Sequence, residues 1–279
     1  MSILRRERAG ADEPGTSAAG AEQRGFRGAF QAALRAIDAL RAAEILVSCN
    51  TQINRLGMAD LPALLELLIA RRIRGWQIAL TVPMGSAADR PEILLQPYDL
   101  AALFPLLAKL ARRCEDGDVR LIPGNNVGYF GPYESLLHAG MPVDHAAGCG
   151  AGGATIGIEA DGTIKGCPSL PTDGWSGGTV KEHALEAIWE RAEPLRRLRD
   201  DGIEALWGFC GTCYYASVCR GGCTWTADAL LGRPGNNPYC HHRVLELEKQ
   251  GLRERVVRVG EAPGLPFDRA TFELVVEAI

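Results

Sequence analysis

The sequence carries little net charge. It has 30 basic and 34 acidic residues, a balance of −4 over 279 residues. That leaves no electrostatic footprint for nucleic acid or for an anionic membrane surface. No apolar run approaches the roughly 20 residues that a membrane span needs. The opening "MSILRRERAGADEPGTSAAG" has charge but no apolar core before a small-residue cleavage site. Arg5-Arg6 fails as a twin-arginine export signal for the same reason. A phosphate loop is also missing: the glycines of "GCGAGGA" match no G-x-x-x-x-G-K-S/T and precede a strand rather than a helix. No Ser-His-Asp arrangement can be argued, and no repeat recurs at a fixed period. The expectation is a cytoplasmic protein with neither nucleic acid nor membrane as partner. There thiols stay reduced, and nine cysteines, an odd number, suit full disulfide pairing poorly.

What is present falls into two styles. Residues 1–24 are rich in Gly, Ala, Ser and charge, and read as a mobile tail. From there helix and strand alternate. "FRGAFQAALRAIDALRAAE" spaces Phe30, Leu34, Ile37 and Leu40 as one helical face. "ILVSC" (45–49) predicts a strand. "ADLPALLELLIARRIRG" predicts a helix, with Asp60 as cap, Pro62 in the first turn and Gly75 at its end. "WQIALTV" (76–82), "PYDLAALFPLLAKLARRCEDG" and "DVRLI" (118–122) continue the alternation. Strands about 30 to 40 residues apart fit right-handed crossovers in a parallel sheet. Three strands are few for one, so 25–140 reads as part of a barrel. From about 141 glycine becomes dense. "ATIGIEADGTIKGC" predicts a hairpin turning at Asp161-Gly162, with 160 opposite 163 and 156 opposite 167. A helix is predicted over about 181–200 and another from about His241 to Val256, with 256–279 as a peripheral tail.

Seven of the nine cysteines lie in this second region: Cys149, Cys167, Cys210, Cys213, Cys219, Cys223 and Cys240. "CGTCYYASVCRGGC" (210–223) spaces four of them C-x2-C-x5-C-x3-C. C-x2-C lets two thiolates face one metal centre, and Gly221 and Gly222 free the backbone to pass close to it. The hairpin, with a glycine-rich loop ahead of it, can bring Cys149 and Cys167 together. Zinc in a four-cysteine cage stays open as an alternative, with His241 or His242 completing a second site. Seven cysteines divide better into two iron–sulfur clusters, one of them short of a cysteine. The two histidines otherwise read as a solvated helix start. Lys165 and Arg220 read as surface charge, Asp161 as a turn residue, and Cys49 and Cys114 as core packing.

The pattern C-x12-G-x4-C (Cys149, Gly162, Cys167), C-x2-C-x5-C-x3-C and Cys240 resembles the SPASM domain, the C-terminal part of many radical S-adenosylmethionine (SAM) enzymes. The "CRGGC" phrase is part of the match. "GAFQAALRAIDAL" and "ILVSCNTQINRLGMADLPALLELLIARRIRGWQIAL" are similar to the second half of those enzymes' partial (β/α)6 barrel. "PGNNVGYFGPYE" followed by "GCGAG" resembles a subgroup that modifies small ribosomal peptides. The resemblance implies an α/β fold, a half barrel over 25–140 followed by a SPASM domain with hairpin and helices over 141–255. It implies two auxiliary [4Fe–4S] clusters, the first on Cys149, Cys167 and Cys223, the second on Cys210, Cys213, Cys219 and Cys240.

The resemblance breaks at one motif. Such enzymes hold their SAM-cleaving cluster on C-x3-C-x2-C, and this sequence has none; its first cysteine is Cys49. The expectation is therefore the C-terminal half of a peptide maturase, unlikely to cleave SAM alone: a split subunit completed by a separate N-terminal half, a truncated reading frame, or a cut piece of a longer chain. Completed, the enzyme would generate a deoxyadenosyl radical that takes hydrogen from a peptide side chain. Asn50, Thr51 and Asn54, after the first strand, would contact SAM or substrate at the barrel mouth, or simply cap the loop. The partner would be a peptide substrate or leader peptide. Two other readings remain at this stage: a stand-alone iron–sulfur electron carrier or peptide binder, and a structural zinc protein.

Overall fold

A computed structural model describes residues 28–139, 148–264 and 268–279. The tail expected over 1–24 and the expected boundary at 140/141 lie outside these. Helix α1 (Ala29–Ala42) buries Phe30, Leu34 and Ile37, as their spacing predicts, but Leu40, expected on the same face, is 40% exposed. Strand β1 (Ser48–Ile53) runs later than predicted: Ile45 and Leu46 are 50% and 78% exposed. Apolar character misplaced it. The strand instead alternates Cys49, Thr51 and Ile53 inward, and Thr51 Oγ1 accepts the Trp76 indole N–H at 2.9 Å.

Helix α2 (Leu61–Ala70) lays Leu61, Leu64, Leu65 and Leu68 into the core. Asp60 makes no side-chain cap to it, and Gly75 does not end it. Arg72, in the left-handed region at φ 51°, does: its N–H reaches the Ile69 carbonyl and the Ile73 N–H that of Leu68. Gly75 opens strand β2 (Gly75–Leu80), which pairs in parallel with β1 from Ser48↔Gly75 to Ile53↔Leu80. A Cβ on Gly75 would stand 2.7 Å from Ser48 Oγ, so glycine permits the register.

Helix α3 (Leu100–Asp116) follows a turn in which the Asp99 carboxylate accepts the Gln96 N–H at 2.8 Å. The stretch Pro91–Asp116 is long and apolar enough to cross a membrane by composition, yet Leu100, Leu103 and Leu107 within it are fully buried in the core. Strand β3 (Arg120–Pro123) completes a parallel sheet of order β1-β2-β3. Its open face is polar: Asn50 Nδ2 donates to Gln77 Oε1 at 2.9 Å, and Gln52 Nε2 to Asn50 Oδ1 at 3.3 Å. Helix α4 (Glu134–Leu137) follows.

The second region is built on β4 (Gly157–Ile158), β5 (Thr163–Lys165) and β6 (Ser176–Thr179), antiparallel in that order. Ile158 pairs with Ile164 and Gly157 with Lys165, one residue off the predicted register. The Glu159 N–H bonds Thr163 O, so the loop holds three residues and ends on Gly162 at φ 90°. Asp161 is a turn residue as expected, its Oδ1 accepting the Thr163 N–H at 2.9 Å. The single helix predicted over 181–200 is two, α5 (Leu185–Arg191) and α6 (Glu193–Asp200). Pro194 forces the break, because it suits a first helical turn and not an interior. Ile164, Ile188 and Leu195 form a small core there.

Short helix α7 (Ala216–Cys219), α8 (Thr224–Leu231) and α9 (His241–Glu248) follow. The last predicted helix stops at Glu248. Strand β7 (Leu252–Gly260) pairs antiparallel with β8 (Thr271–Ala278). The expected peripheral tail over 256–279 is thus half of a hairpin, and Val256, Ala270 and Phe272 join the main core. Gln96 clamps it, its side chain bonding both the N–H and the carbonyl of Val256. The misreading has a physical source: "LRERVVRV" and "TFELVVEA" interrupt the two-residue strand period with adjacent apolar residues at Val256-Val257 and Leu274-Val275-Val276.

Candidate metal centre

The structure gathers the seven cysteines into two groups. Around Cys210, Cys213, Cys219 and Cys240 lies an apolar pocket walled by Tyr129, Phe130, Phe209, Tyr215 and His242. The amide of Tyr215 donates to the Cys213 sulfur at 3.4 Å. Those of Gly221 and Gly222 lie near the Cys219 sulfur, that of Asn237 near Cys210 and that of Arg243 near Cys240, each favouring the thiolate. Arg220, Gly221 and Gly222 are all left-handed, at φ 51°, 77° and 73°. This run wraps the backbone around Cys219, and the Gly222 N–H donates to its carbonyl at 3.1 Å. A Cβ on Gly221 would stand 2.9 Å from Gly235 backbone, so no side chain fits in that turn.

Burial pushes the Cys219 thiol up to about 12 and raises those of Cys210 and Cys240. Four thiolates in an apolar cavity need a cation to ionise against, and a metal centre is one. Among the described residues, no three His, Cys, Asp or Glu side chains converge as a single metal ion requires. The sulfurs ring a volume instead, a donor set that fits an all-thiolate iron–sulfur cluster.

Cys149, Cys167 and Cys223 form the other group. The Cys223 sulfur feels both Cys149 and Cys167, and burial holds its thiol up. Although Cys223 ends the "CRGGC" turn, it also immediately precedes α8 as its N-cap. Beside Cys149 a second pocket is lined by Arg197, Asp201, Arg220 and Thr224.

Tyr129, which sequence reasoning quoted without giving it a role, sits between the groups. It is 1% exposed, and its hydroxyl neighbours the thiols of Cys223, Cys219 and Cys149. That hydroxyl accepts the Cys223 N–H at 2.9 Å and donates to the Asn125 carbonyl. Its own carbonyl lies 3.7 Å from the Cys240 sulfur. Both Tyr129 and Phe130 are left-handed, at φ 81° and 57°, a conformation that costs about 1–2 kcal/mol per residue. Phe130 stacks on Tyr215 with ring centres 4.2 Å apart, and His242 meets Tyr215 edge-on at 5.0 Å.

Other predicted positions fall elsewhere. Asn54 is 1% exposed, and its Oδ1 accepts the Leu56 and Gly57 N–H groups, both at 3.0 Å, which makes it a loop cap. Thr51 faces the core, so Asn50 alone of the three lies on the sheet's open face. His241 is not solvated: it is 1% exposed, stacked on Phe104 at 4.4 Å, and burial lowers its pKa to about 4. Cys49 and Cys114 are in the core, where burial pushes Cys114 up to about 12. Arg220 is exposed as expected.

Lys165 is fully buried rather than on the surface. Its Nζ reaches Glu159 at 2.7 Å and the Leu170 carbonyl at 2.5 Å, joining hairpin to loop next to Cys167. Lys165→Met is expected to lower stability by about 2–3 kcal/mol, below the figure for a fully buried pair because Glu159 is 24% exposed. Lys165 and Thr172 hold the Glu159 carboxyl below its usual range. Its contribution is therefore present above pH ~4.3 and lost as pH falls through the depressed value. Urea unfolding of both proteins at pH 7 and in acid reads both effects.

The fold is mixed α/β, and its second region gathers seven thiols into two groups. Residues 149–214 match SPASM, an iron–sulfur cluster-binding domain, and the chain is similar to radical SAM enzymes. An AdoMet-dependent heme synthase of Methanosarcina barkeri is 28% identical over 79% of this chain and 63% of its own. Mycofactocin maturase MftC of Mycobacterium ulcerans is 28% identical over 76% and 55%, and the PqqA peptide cyclase of Ruegeria pomeroyi 26% identical over 82% and 59%. The chain spans about 55–63% of the length of these curated relatives. Among solved structures, anSMEcpe with bound AdoMet matches the fold at TM-score 0.54 and 14% identity, over 78% of this chain and 57% of its own. Streptococcus suis SuiB matches at 0.52 and 14%, over 77% and 49%.

Proposed function

We propose that this chain is the iron–sulfur portion of a radical SAM enzyme that modifies a ribosomally made peptide or protein. One [4Fe–4S] cluster belongs on Cys210, Cys213, Cys219 and Cys240, another on Cys149, Cys167 and Cys223. The observation that carries the reading is the division of seven thiols into two groups, four lining one apolar pocket and three around Cys223. Clusters held there supply one-electron transfer. The protein's own part is to keep water out with Phe130, Phe209, Tyr215 and His242, and to hold both groups at a fixed separation through Tyr129.

Cleavage of SAM needs three thiolates spaced C-x3-C-x2-C, which these 279 residues do not contain. We place that triplet outside this sequence, upstream in the same chain or on a separate one. The polar face of Asn50, Gln52 and Gln77 then lines the shared interior, toward SAM or substrate. Relatives named peptide cyclase and maturase, and a SuiB structure with precursor peptide SuiA bound, favour a peptide. Relatives named heme synthase match a similar share of the chain, which makes a non-peptide substrate the second reading.

The test is reconstitution. Under dithionite and without oxygen, this protein mixed with a chain carrying C-x3-C-x2-C is expected to yield 5′-deoxyadenosine from SAM; this sequence by itself yields none. A mixture that forms no 5′-deoxyadenosine overturns the assignment to a radical enzyme and leaves a stand-alone electron carrier. A mass change in an added precursor peptide decides between the two substrate classes.

A further inference from the structure

The C-terminal hairpin reaches the cysteine cavity through one ion pair. Arg243 on α9 and Glu254 on β7 are 2% and 5% exposed. They meet as a bidentate pair, Nε to Oε2 at 2.6 Å and Nη2 to Oε1 at 2.5 Å. The remaining guanidinium nitrogen, Nη1, donates to Asn236 Oδ1 at 2.6 Å and lies 3.5 Å from the Asn237 carbonyl. Asn237 lines the cavity, and its amide lies near the Cys210 sulfur. The guanidinium carbon lies 5.2 Å from the centre of the Phe209 ring, another cavity wall. Arg243 is also three residues from Cys240, and its charge acts on that sulfur. The cation thus stands between the cavity and the carboxylate.

The order of influence on the sulfurs agrees with this placement. Arg243 acts on Cys210 more strongly than Glu254 does, and it acts on Cys240 as well. Stability alone is a weak reason for such a pair, because two apolar residues of similar volume commonly do as well. A buried cation beside a thiolate cage has a second effect: it favours whichever redox state is more negative.

We propose that the Arg243–Glu254 pair sets the reduction potential of the cluster on Cys210, Cys213, Cys219 and Cys240, the guanidinium facing the sulfurs and the carboxylate screening it from behind. This rests on the reading that those four thiolates hold a cluster. On reduction that cluster takes one electron from an external reductant such as dithionite, no bond forms or breaks, and its charge falls by one. Arg243 and Glu254 are positioning residues in this, since neither supplies a ligating sulfur.

The two partners of one salt bridge must therefore shift the potential in opposite directions. In an EPR-monitored titration of the reconstituted full chain, Arg243→Gln lowers one midpoint and Glu254→Gln raises the same one. At fixed potential each changes the reduced-to-oxidised ratio by about tenfold, equivalent to about 59 mV for a one-electron couple. Arg243→Lys leaves that midpoint near the wild-type value. If a single variant does not fold, Arg243→Met with Glu254→Leu keeps the volume and removes both charges; its midpoint falls, by less than for loss of the cation alone. Shifts in the same direction, or midpoints that do not move, overturn the inference while the clusters stand. Loss of this cluster in Arg243→Lys makes the pair a strut and overturns it too. A wild-type protein that takes up no iron and sulfide removes the underlying reading instead.

Discussion

Cys223→Ala is expected to remove the same cluster as Cys149→Ala and Cys167→Ala, and to spare the one that Cys219→Ala removes. Along the chain the opposite looks natural, since Cys223 is four residues from Cys219 and far from Cys149. The turn between them decides otherwise. Three successive left-handed residues, 220–222, reverse the backbone, and Cys223 emerges at the head of α8. Its sulfur feels Cys149 and Cys167, whereas that of Cys219 feels Cys210 and Cys213. With two four-iron clusters, each variant falls from about eight to about four irons per chain. Double variants separate the cases: Cys167→Ala with Cys223→Ala keeps about four irons, while Cys219→Ala with Cys223→Ala keeps almost none. Iron analysis of anaerobically reconstituted protein reads this, and the reverse pattern contradicts the grouping.

Tyr129→Ala is expected to have the largest effect of any substitution outside the cysteines. The ring is 1% exposed, lies between both thiol groups and would meet a Cβ on Gly222 at 3.0 Å. Removing a buried aromatic ring costs about 3–5 kcal/mol, and here the void opens between two metal centres. Both clusters should become labile, seen as faster loss of their visible absorbance under a chelator. Tyr129→Phe keeps the ring and loses only the hydroxyl, leaving the Cys223 N–H and Asn125 carbonyl unpaired. About 1–3 kcal/mol follows from that, with both clusters retained. An alanine variant as stable as wild type, its clusters equally resistant, would remove Tyr129 from the account.

Much of this could be read from the sequence because particular local rules hold. Phe30, Leu34 and Ile37 lie on one helical face, and the core follows them. The spacing from Cys210 to Cys223, with two glycines that have no room for a side chain, singles out the cysteine turn. What failed did so where a local rule met a tertiary one. Ile45 and Leu46 look like strand but stay exposed, while the polar-looking "NTQI" is strand because Thr51 and Ile53 alternate into the core and Asn50 and Gln52 bond one another on the other face. Lys165 reads as surface charge, and only the fold buries it against Glu159. Tyr129 had one legible signal, its place in "NNVGYFG" between glycines, but no sequence rule says that a bulky residue there adopts positive φ. Glu254 had none: its role exists only because β7 runs beside α9.

The central claim is that the cysteine cavity holds iron and sulfide. Metal and acid-labile sulfide analysis of the protein, isolated and reconstituted without oxygen, tests it most directly. The account predicts about eight irons and about eight sulfides per chain, with zinc well below one. Zinc at one or two per chain, with neither iron nor sulfide, would contradict it.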